Sequence, residues 1–367
     1  MRLDIVPYMT WAKETFHQEG IHNLGTSGIV KLIRPEELGI GPADYPTDVS
    51  NDDGLPALRA ALAERYSVPV ESVLSAEGTS LANFLILAAV LRPGDTVLLE
   101  EPFYDPIFSV LQGLGARIRR VPVDGPEGHE SILDHLSNAR GGRVRAVVLT
   151  NPHNPTGRAI PDGLLKRIAT ACEAHGATLV VDEVYREVLF ESAIGCAARL
   201  SPRIVSTGSL TKVYGLSHLR LGWAIGPPEV ISRAMRLNDN LGVVHPWITE
   251  AIGARILTDS ERMDRWRTRA RARVDANRAA VARLLDGDPR FDGALPPHGI
   301  LAFIRWRGDS RFPDAETLCR RAMEEARVCL VPGRFFQRRD FIRIAAGAPE
   351  EDVAAACEAL ASYLRRD

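Results

Sequence analysis

The 367-residue chain has no Cys-x-x-Cys pair, no apolar run long enough to cross a bilayer, and no marked excess of either charge. Each absence removes a class of explanation. Its five cysteines, at 172, 196, 319, 329 and 357, are odd in number and irregularly spaced. Such a pattern is expected of reduced thiols in a cytoplasmic protein rather than of a disulfide framework. No window approaches the roughly 18 apolar residues of a membrane span. The opening MRLDIVPYMTWAKETF lacks a continuous apolar core, so no signal peptide is expected. Forty-five basic against 47 acidic side chains leave a net charge of −2, which gives no support to a nucleic-acid or anionic-membrane partner. The nine histidines show no ligand spacing, and no metal site is expected. Without a Gly-x-Gly-x-x-Gly after any apolar strand, a nicotinamide dehydrogenase is disfavoured.

What is present is the balance of a globular enzyme, with 45% apolar and 25% charged residues. From about residue 70, strand-like and helix-like segments alternate, the sign of an α/β domain. Strands are expected at 72–75, 96–100, 116–123, 145–150, 177–182, 203–206 and 219–225, with helices near 79–91, 104–113, 162–175 and 228–240. The nearly continuous apolar strands call for a sheet covered on both faces. An earlier helix is expected over 10–18, and an amphipathic one over 55–66. After residue 255 the pattern changes. A long arginine-rich helix over 261–285, read as solvated on its charged face, precedes strands at 300–306, 328–332 and 341–345 and a closing helix from Pro349.

The segment Ser206-Thr-Gly-Ser209-Leu-Thr-Lys212 follows an apolar strand, and eight residues later Arg220 stands among Leu219, Leu221 and Trp223. An arginine in such company needs an anion. A desolvated lysine beside a bound phosphate is suited to holding an aldehyde as a Schiff base. Gly78, Thr79 and Ser80 open an apolar helix and suit either a phosphate cradle or a plain N-cap. Asp182 ends an apolar strand and should be paired or hydrogen-bonded. Arg343, between Ile342 and Ile344, calls for an anionic ligand or an internal ion pair. Asn151-Pro-His-Asn154-Pro-Thr-Gly157 defines a rigid turn.

Ser209-x-x-Lys212, Gly-Leu-x-x-Leu-Arg220-x-Gly-Trp and Asn-Pro-x-Asn154-Pro-Thr-Gly, in that company, resemble the fold-type I enzymes that use pyridoxal 5'-phosphate (PLP), the aspartate-aminotransferase superfamily. The resemblance runs over about residues 20 to 350. It implies the PLP-dependent transferase fold: a large three-layer α/β/α domain with a mainly parallel sheet, plus a small α+β domain. The expected division is 41–255 for the large domain, with 1–40 joining a small domain of 256–367. It also implies a homodimer.

The resemblance assigns the site as follows. Lys212 carries PLP as a Schiff base, Asp182 faces the pyridine nitrogen, and Tyr185 and Asn154 attend the phenolic oxygen. Tyr104 stacks on the ring, although an interface tyrosine is the alternative. Gly78, Thr79, Ser80, Ser209 and Arg220 hold the phosphate. Arg343 clamps the substrate α-carboxylate, with Gly28 or Ser27 and Asn154 nearby. Arg334 and His298 are candidates for side-chain selection. Tyr45 is a candidate for reaching the phosphate of the partner subunit, at a spacing to Gly54 longer than the family's. His218 departs from the small residues usual before Leu-Arg, and Glu183 matches no pyridine contact.

The implied activity is transfer of an amino group between an L-amino acid and a 2-oxo acid. The Thr26-Ser-Gly-Ile and Pro332-Gly-Arg-x-Phe segments also resemble capreomycidine-synthase-like members, so a lyase or cyclase is the alternative.

Overall fold

A computed structural model describes residues 3–41, 49–138, 143–191 and 195–366. In chain order its strands are β1 (His22–Asn23), β2 (Val73–Ala76), β3 (Thr96–Glu101), β4 (Arg117–Pro122), β5 (Val144–Thr150), β6 (Thr178–Asp182), β7 (Ile204–Ser209), β8 (Gly222–Ile225), β9 (Phe291–Asp292), β10 (Leu301–Trp306), β11 (Val328–Cys329), β12 (Val331–Pro332) and β13 (Phe341–Ala345). Seven strands form one sheet in the order β2-β8-β7-β6-β5-β3-β4. Only β8 runs antiparallel to its neighbours; the other pairings are parallel.

Side-chain alternation explains why the central strands are apolar throughout. Val97, Leu99, Val148, Val180 and Val205 pack on one face with residues of helices Thr79–Val90 and Pro228–Asn238. Leu98, Val147, Leu149, Leu179 and Val181 pack on the other with Leu165, Ile168 and Cys172 of helix Asp162–His175. The edge strand β4 is mostly uncovered and carries Arg117, Arg119 and Arg120, charges that discourage edge-to-edge pairing.

A second, antiparallel sheet has the order β12-β13-β10-β9. Helices Ser260–Asp286, Ala315–Ala326 and Glu350–Leu364 contribute to its core. The parallel β1–β11 pair brings residues 22–23 to this part of the molecule.

Several boundaries differ from the sequence reading. The first helix spans Pro7–Thr15 rather than 10–18, because proline at the first helical position loses no hydrogen bond. The expected strand 219–225 begins only at Gly222. Residues Ser217–Leu219 form a 3₁₀ turn and Arg220 adopts the left-handed region at φ 50°. Helices Ser131–Ser137 and Trp247–Thr258 were not anticipated. The arginines of the long helix are not simply solvated. Arg269 binds the Glu37 carboxylate at 2.5 Å, and Arg273 donates to the Val30 carbonyl at 2.6 Å. That face fastens the N-terminal segment.

Candidate active site

The parallel strands deliver their C-terminal ends to one crevice, where ligands of open α/β sheets bind. β6 ends at Asp182, β7 at Ser209, β5 leads into the Asn154 turn, and β3 leads to Tyr104. A cavity of about 450 Å³ is lined there by Thr79, Ser80, Tyr104, Asn154, Asp182, Tyr185, Ser209, Lys212 and Arg220. An adjoining chamber of about 240 Å³ shares Lys212 and Tyr104 and adds Ser27 and Gly28.

Asp182 is buried. It accepts from Asn83 Nδ2 at 2.8 Å and from the Val184 N–H at 3.0 Å. Thr207 Oγ1 in turn donates to Asn83 Oδ1 at 2.7 Å. Burial pushes the Asp182 carboxyl above its ordinary range, and the Lys212 charge only partly offsets this. Among the described residues no lysine or arginine forms an ion pair with it. The Lys212 amine donates to Ser27 Oγ at 3.0 Å and stands 5.6 Å from the Tyr185 ring centroid. Burial holds this amine below the usual lysine range, with Arg343 and Arg220 acting in the same direction and Tyr8 and Asp182 against it. The Tyr185 phenol is pushed up to about 12 by burial, against the pull of Arg343 and a hydrogen bond with Ser27.

Arg343, on β13, is completely buried. Its Nη1 donates to Asn154 Oδ1 at 3.1 Å, and its Nη2 donates to Tyr8 Oη at 2.9 Å and to the Gly25 carbonyl at 2.8 Å. Its Nε has no partner among the described residues. These partners are neutral, so the guanidinium lacks the anion that its burial calls for. The internal ion pair left open by the sequence is absent among the described residues. Asn154 Oδ1 is committed to Arg343, which leaves its amide hydrogens free to serve as donors.

At the opposite end, Thr79 Oγ1 is buried without a partner among the described residues, at the start of helix Thr79–Val90. Arg220 approaches so closely that a Cβ on Gly78 would collide with its guanidinium. Its Nη2 donates to the Glu77 carbonyl at 3.2 Å. A Cβ on Gly222 would meet the Gly78–Thr79 backbone. Small residues thus let a helix N-terminus, an arginine and three hydroxyls converge, a donor set suited to a phosphate. The N-cap position is Gly78, which has no side chain, so neither Thr79 nor Ser80 stands where a hydroxyl would cap the helix.

Other candidates lie elsewhere. Arg334 pairs with Glu316 at 2.7 Å and stacks on Phe335, so its charge is already used. His298 and His218 are exposed and line neither chamber. Glu183 Oε2 accepts from the Ala197 N–H at 2.8 Å, a structural contact. Tyr45 lies outside the described residues.

Three participants were missed. Tyr8 precedes the helix expected over 10–18 and lies inside the observed one, Pro7–Thr15. Asn83 left a trace: it is the one amide in the apolar helix TSLANFLILAAV, and a buried amide requires partners. The third is a buried group of Glu100, His129 and His153, whose ligand atoms lie within 4.8 Å of one another. Glu100 accepts from the Thr150 N–H at 2.6 Å and lies 2.9 Å from His129 Nε2; His153 Nε2 donates to the Pro102 carbonyl at 2.9 Å. The group braces the strand ends that carry Tyr104 and Asn154.

Burial pushes Glu100 up to about 7, opposed chiefly by His153, and holds His129 down at about 4. Glu100 therefore binds its proton more tightly in the folded chain, and stability falls as pH rises from 4.5 to about 7. Glu100→Gln keeps the acceptor and removes the charge. Its melting temperature is expected to exceed the parent's by roughly 2 °C at pH 8, about 1 kcal/mol, and by little at pH 5. An equal gain at both pH values in a thermal-melt series would contradict this reading.

Residues 47–360 match the family model described as aminotransferase class I and II. Capreomycidine synthase of Streptomyces vinaceus is 29% identical, covering 99% of this chain and 95% of the relative. Valine–pyruvate aminotransferase of Mycobacterium tuberculosis H37Rv is 29% identical over 85% of this chain and 82% of the relative. Among solved structures, a PLP-dependent aminotransferase from Streptococcus suis 89-1591 superposes with a TM-score of 0.88 at 22% identity, covering 100% of this chain and 99% of that one. A PLP-dependent cyclase, OrfR, superposes at 0.86 with 26% identity, covering 100% of this chain and 98% of that one. The chain belongs to the class I and II aminotransferase family, and its cofactor is pyridoxal 5'-phosphate.

Proposed function

We propose that Lys212 carries the cofactor as a Schiff base and that the protein moves an amino group between an L-amino acid and a 2-oxo acid. The observation that carries this is the buried Asp182 carboxylate, without a cationic partner among the described residues, in the same cavity as the Lys212 amine. The residues fit PLP. Thr79 Oγ1, Ser80, Ser209 and Arg220 offer donors at the phosphate end, Asp182 suits a protonated ring nitrogen, and Asn154 and Tyr185 suit the phenolic oxygen. Tyr104 offers its ring as a wall. When bound, the cofactor supplies an electron sink that draws charge from the substrate's α-carbon.

The chain's own residues do the rest. Arg343, with Nε unpartnered, receives the substrate carboxylate, and Gly28 leaves room beside Lys212. The Lys212 amine, held below the usual lysine range, has a larger free-base fraction at neutral pH and so can take the α-proton. Arg343→Ala is expected to lower kcat/KM by about 10²–10³-fold, mostly through KM, while cofactor absorbance is unchanged. Arg343→Lys restores little, because the planar two-point contact is lost. An unchanged KM for the amino acid would remove Arg343 from this role.

A lyase or cyclase is the second reading, supported by the likeness to capreomycidine synthase and to the OrfR cyclase. A panel of L-amino acids, with pyruvate or 2-oxoglutarate as acceptor, scored for 2-oxo acid, ammonia and carbon dioxide, separates the two. Stoichiometric amino transfer is expected. Ammonia released without amino transfer would replace transamination by elimination.

The division into 41–255 and a smaller unit of 1–40 with 256–367 belongs to the same proposal, supported by the β1–β11 pairing. Exposed Leu241, Val243 and Val244 support a homodimer face. The free cysteines are in keeping with a cytoplasmic setting, and no described helix is long and apolar enough to cross a membrane.

A further inference from the structure

Ser27 lies 185 residues from Lys212 in the chain, yet its hydroxyl oxygen is the acceptor for the lysine amine at 3.0 Å. The contact is held in place from several sides. The Ile29 N–H donates to the carbonyl of Lys212 itself at 2.7 Å, and the Val30 N–H donates to the Gly347 carbonyl at 3.1 Å. Asn23 Oδ1 accepts from the N–H groups of Gly25 at 2.7 Å and Thr26 at 3.1 Å. Gly28 passes so near that a Cβ there would stand 3.3 Å from Lys212 Cδ. The loop carrying Ser27 is thus tied to the backbone of the residue that it contacts.

Tyr185 flanks the same amine, its ring centroid 5.6 Å from Lys212 Nζ, and Ser27 works against the upward push of burial on its phenol. One hydroxyl has one hydrogen and two lone pairs. In the contact with Lys212 the amine is the donor and the serine oxygen the acceptor. An amine that donates an N–H to Ser27 keeps its lone pair clear of that contact.

We propose that Ser27 is a positioning residue that aims the Lys212 amine, anchoring one N–H so that the lone pair stays free for the substrate's α-proton. This reading rests on Lys212 as the cofactor-bearing base. It moves Ser27 from the substrate-carboxylate role considered for it in the sequence to the lysine. Two consequences follow for Ser27→Ala. The amine loses its aim, so proton transfer slows at every pH. The ammonium also loses an acceptor, so the amine titrates at lower pH.

The test uses the full chain with Ser27→Ala and Ser27→Thr. Exchange of the α-proton of a bound amino acid into deuterium oxide is followed by NMR across pH. Reductive methylation of Lys212 in the cofactor-free chain is followed by peptide mass across the same range. Ser27→Ala is expected to keep cofactor absorbance, slow exchange at least tenfold, and move the methylation midpoint to lower pH. Ser27→Thr is expected to restore both. Exchange within twofold of the parent and an unmoved midpoint would overturn the proposal. A parent protein that never takes up PLP would instead defeat the Lys212 reading, and the methylation midpoint alone would then decide for or against the Ser27 contact.

Discussion

Lys212→Ala protein is expected to be colourless after incubation with PLP and dialysis, and to turn over at least about 10⁴-fold more slowly than the parent. The size follows from two functions lost together: the covalent hold on the cofactor and the base at the α-carbon. A scaffolding role for Lys212 would have a different signature. Its amine makes a single described hydrogen bond, to Ser27, so removing it should cost little stability. Melting within a few degrees of the parent, with activity abolished, is the expected pair of results. Retained absorbance near the parent's would place the attachment elsewhere.

Asp182→Asn should separate stability from activity in opposite directions. Burial raises the Asp182 pKa, so the folded chain holds this proton more tightly than the unfolded chain. The ionised carboxylate therefore destabilises the cofactor-free protein above the ordinary carboxyl range, and the effect fades as pH falls. Asparagine removes that charge at nearly constant size; its oxygen keeps the Val184 N–H, and its NH2 is met by the Asn83 oxygen once that amide turns over and donates to Thr207 Oγ1 instead. Cofactor-free Asp182→Asn is expected to melt above the parent at pH 7.5 and to converge with it toward pH 4. In the loaded enzyme the same change removes the counter-ion of the ring nitrogen, and turnover is expected to drop on the order of 10³-fold. A cofactor-free variant that melts lower at pH 7.5, or loaded activity within threefold of the parent, would contradict the role assigned to Asp182. Function here is expected to be bought with stability.

Much of the site was legible because its chemistry sits at strand ends. Asp182 closes an apolar run, Asn154 stands in a turn of two Asn-Pro pairs, and Lys212 follows a strand in hydroxyl-rich company. The large sheet was legible for the same reason, since period-2 burial on both faces leaves continuous apolar runs. What the chain order hides is contact at long range. Tyr8 meets Arg343 across 335 residues, and Ser27 meets Lys212 across 185. Neither pair has a local pattern. The Glu100, His129 and His153 group was hidden likewise, its members being spread over three separate segments. Arg220 was misplaced into a strand because its apolar neighbours mimic one; the left-handed turn that aims it at Gly78 is set by tertiary packing.

The claim beneath all of this is that one lysine tethers the cofactor beside the 182 carboxylate. Borohydride reduction of the PLP-loaded protein, followed by peptide mass mapping, tests it most directly. Two lysines, Lys13 and Lys212, line the cavity, so the outcome is not forced by proximity alone. The account predicts a single reduced pyridoxyl adduct on the peptide containing Lys212. An adduct on Lys13, or no adduct with the colour retained, would contradict it.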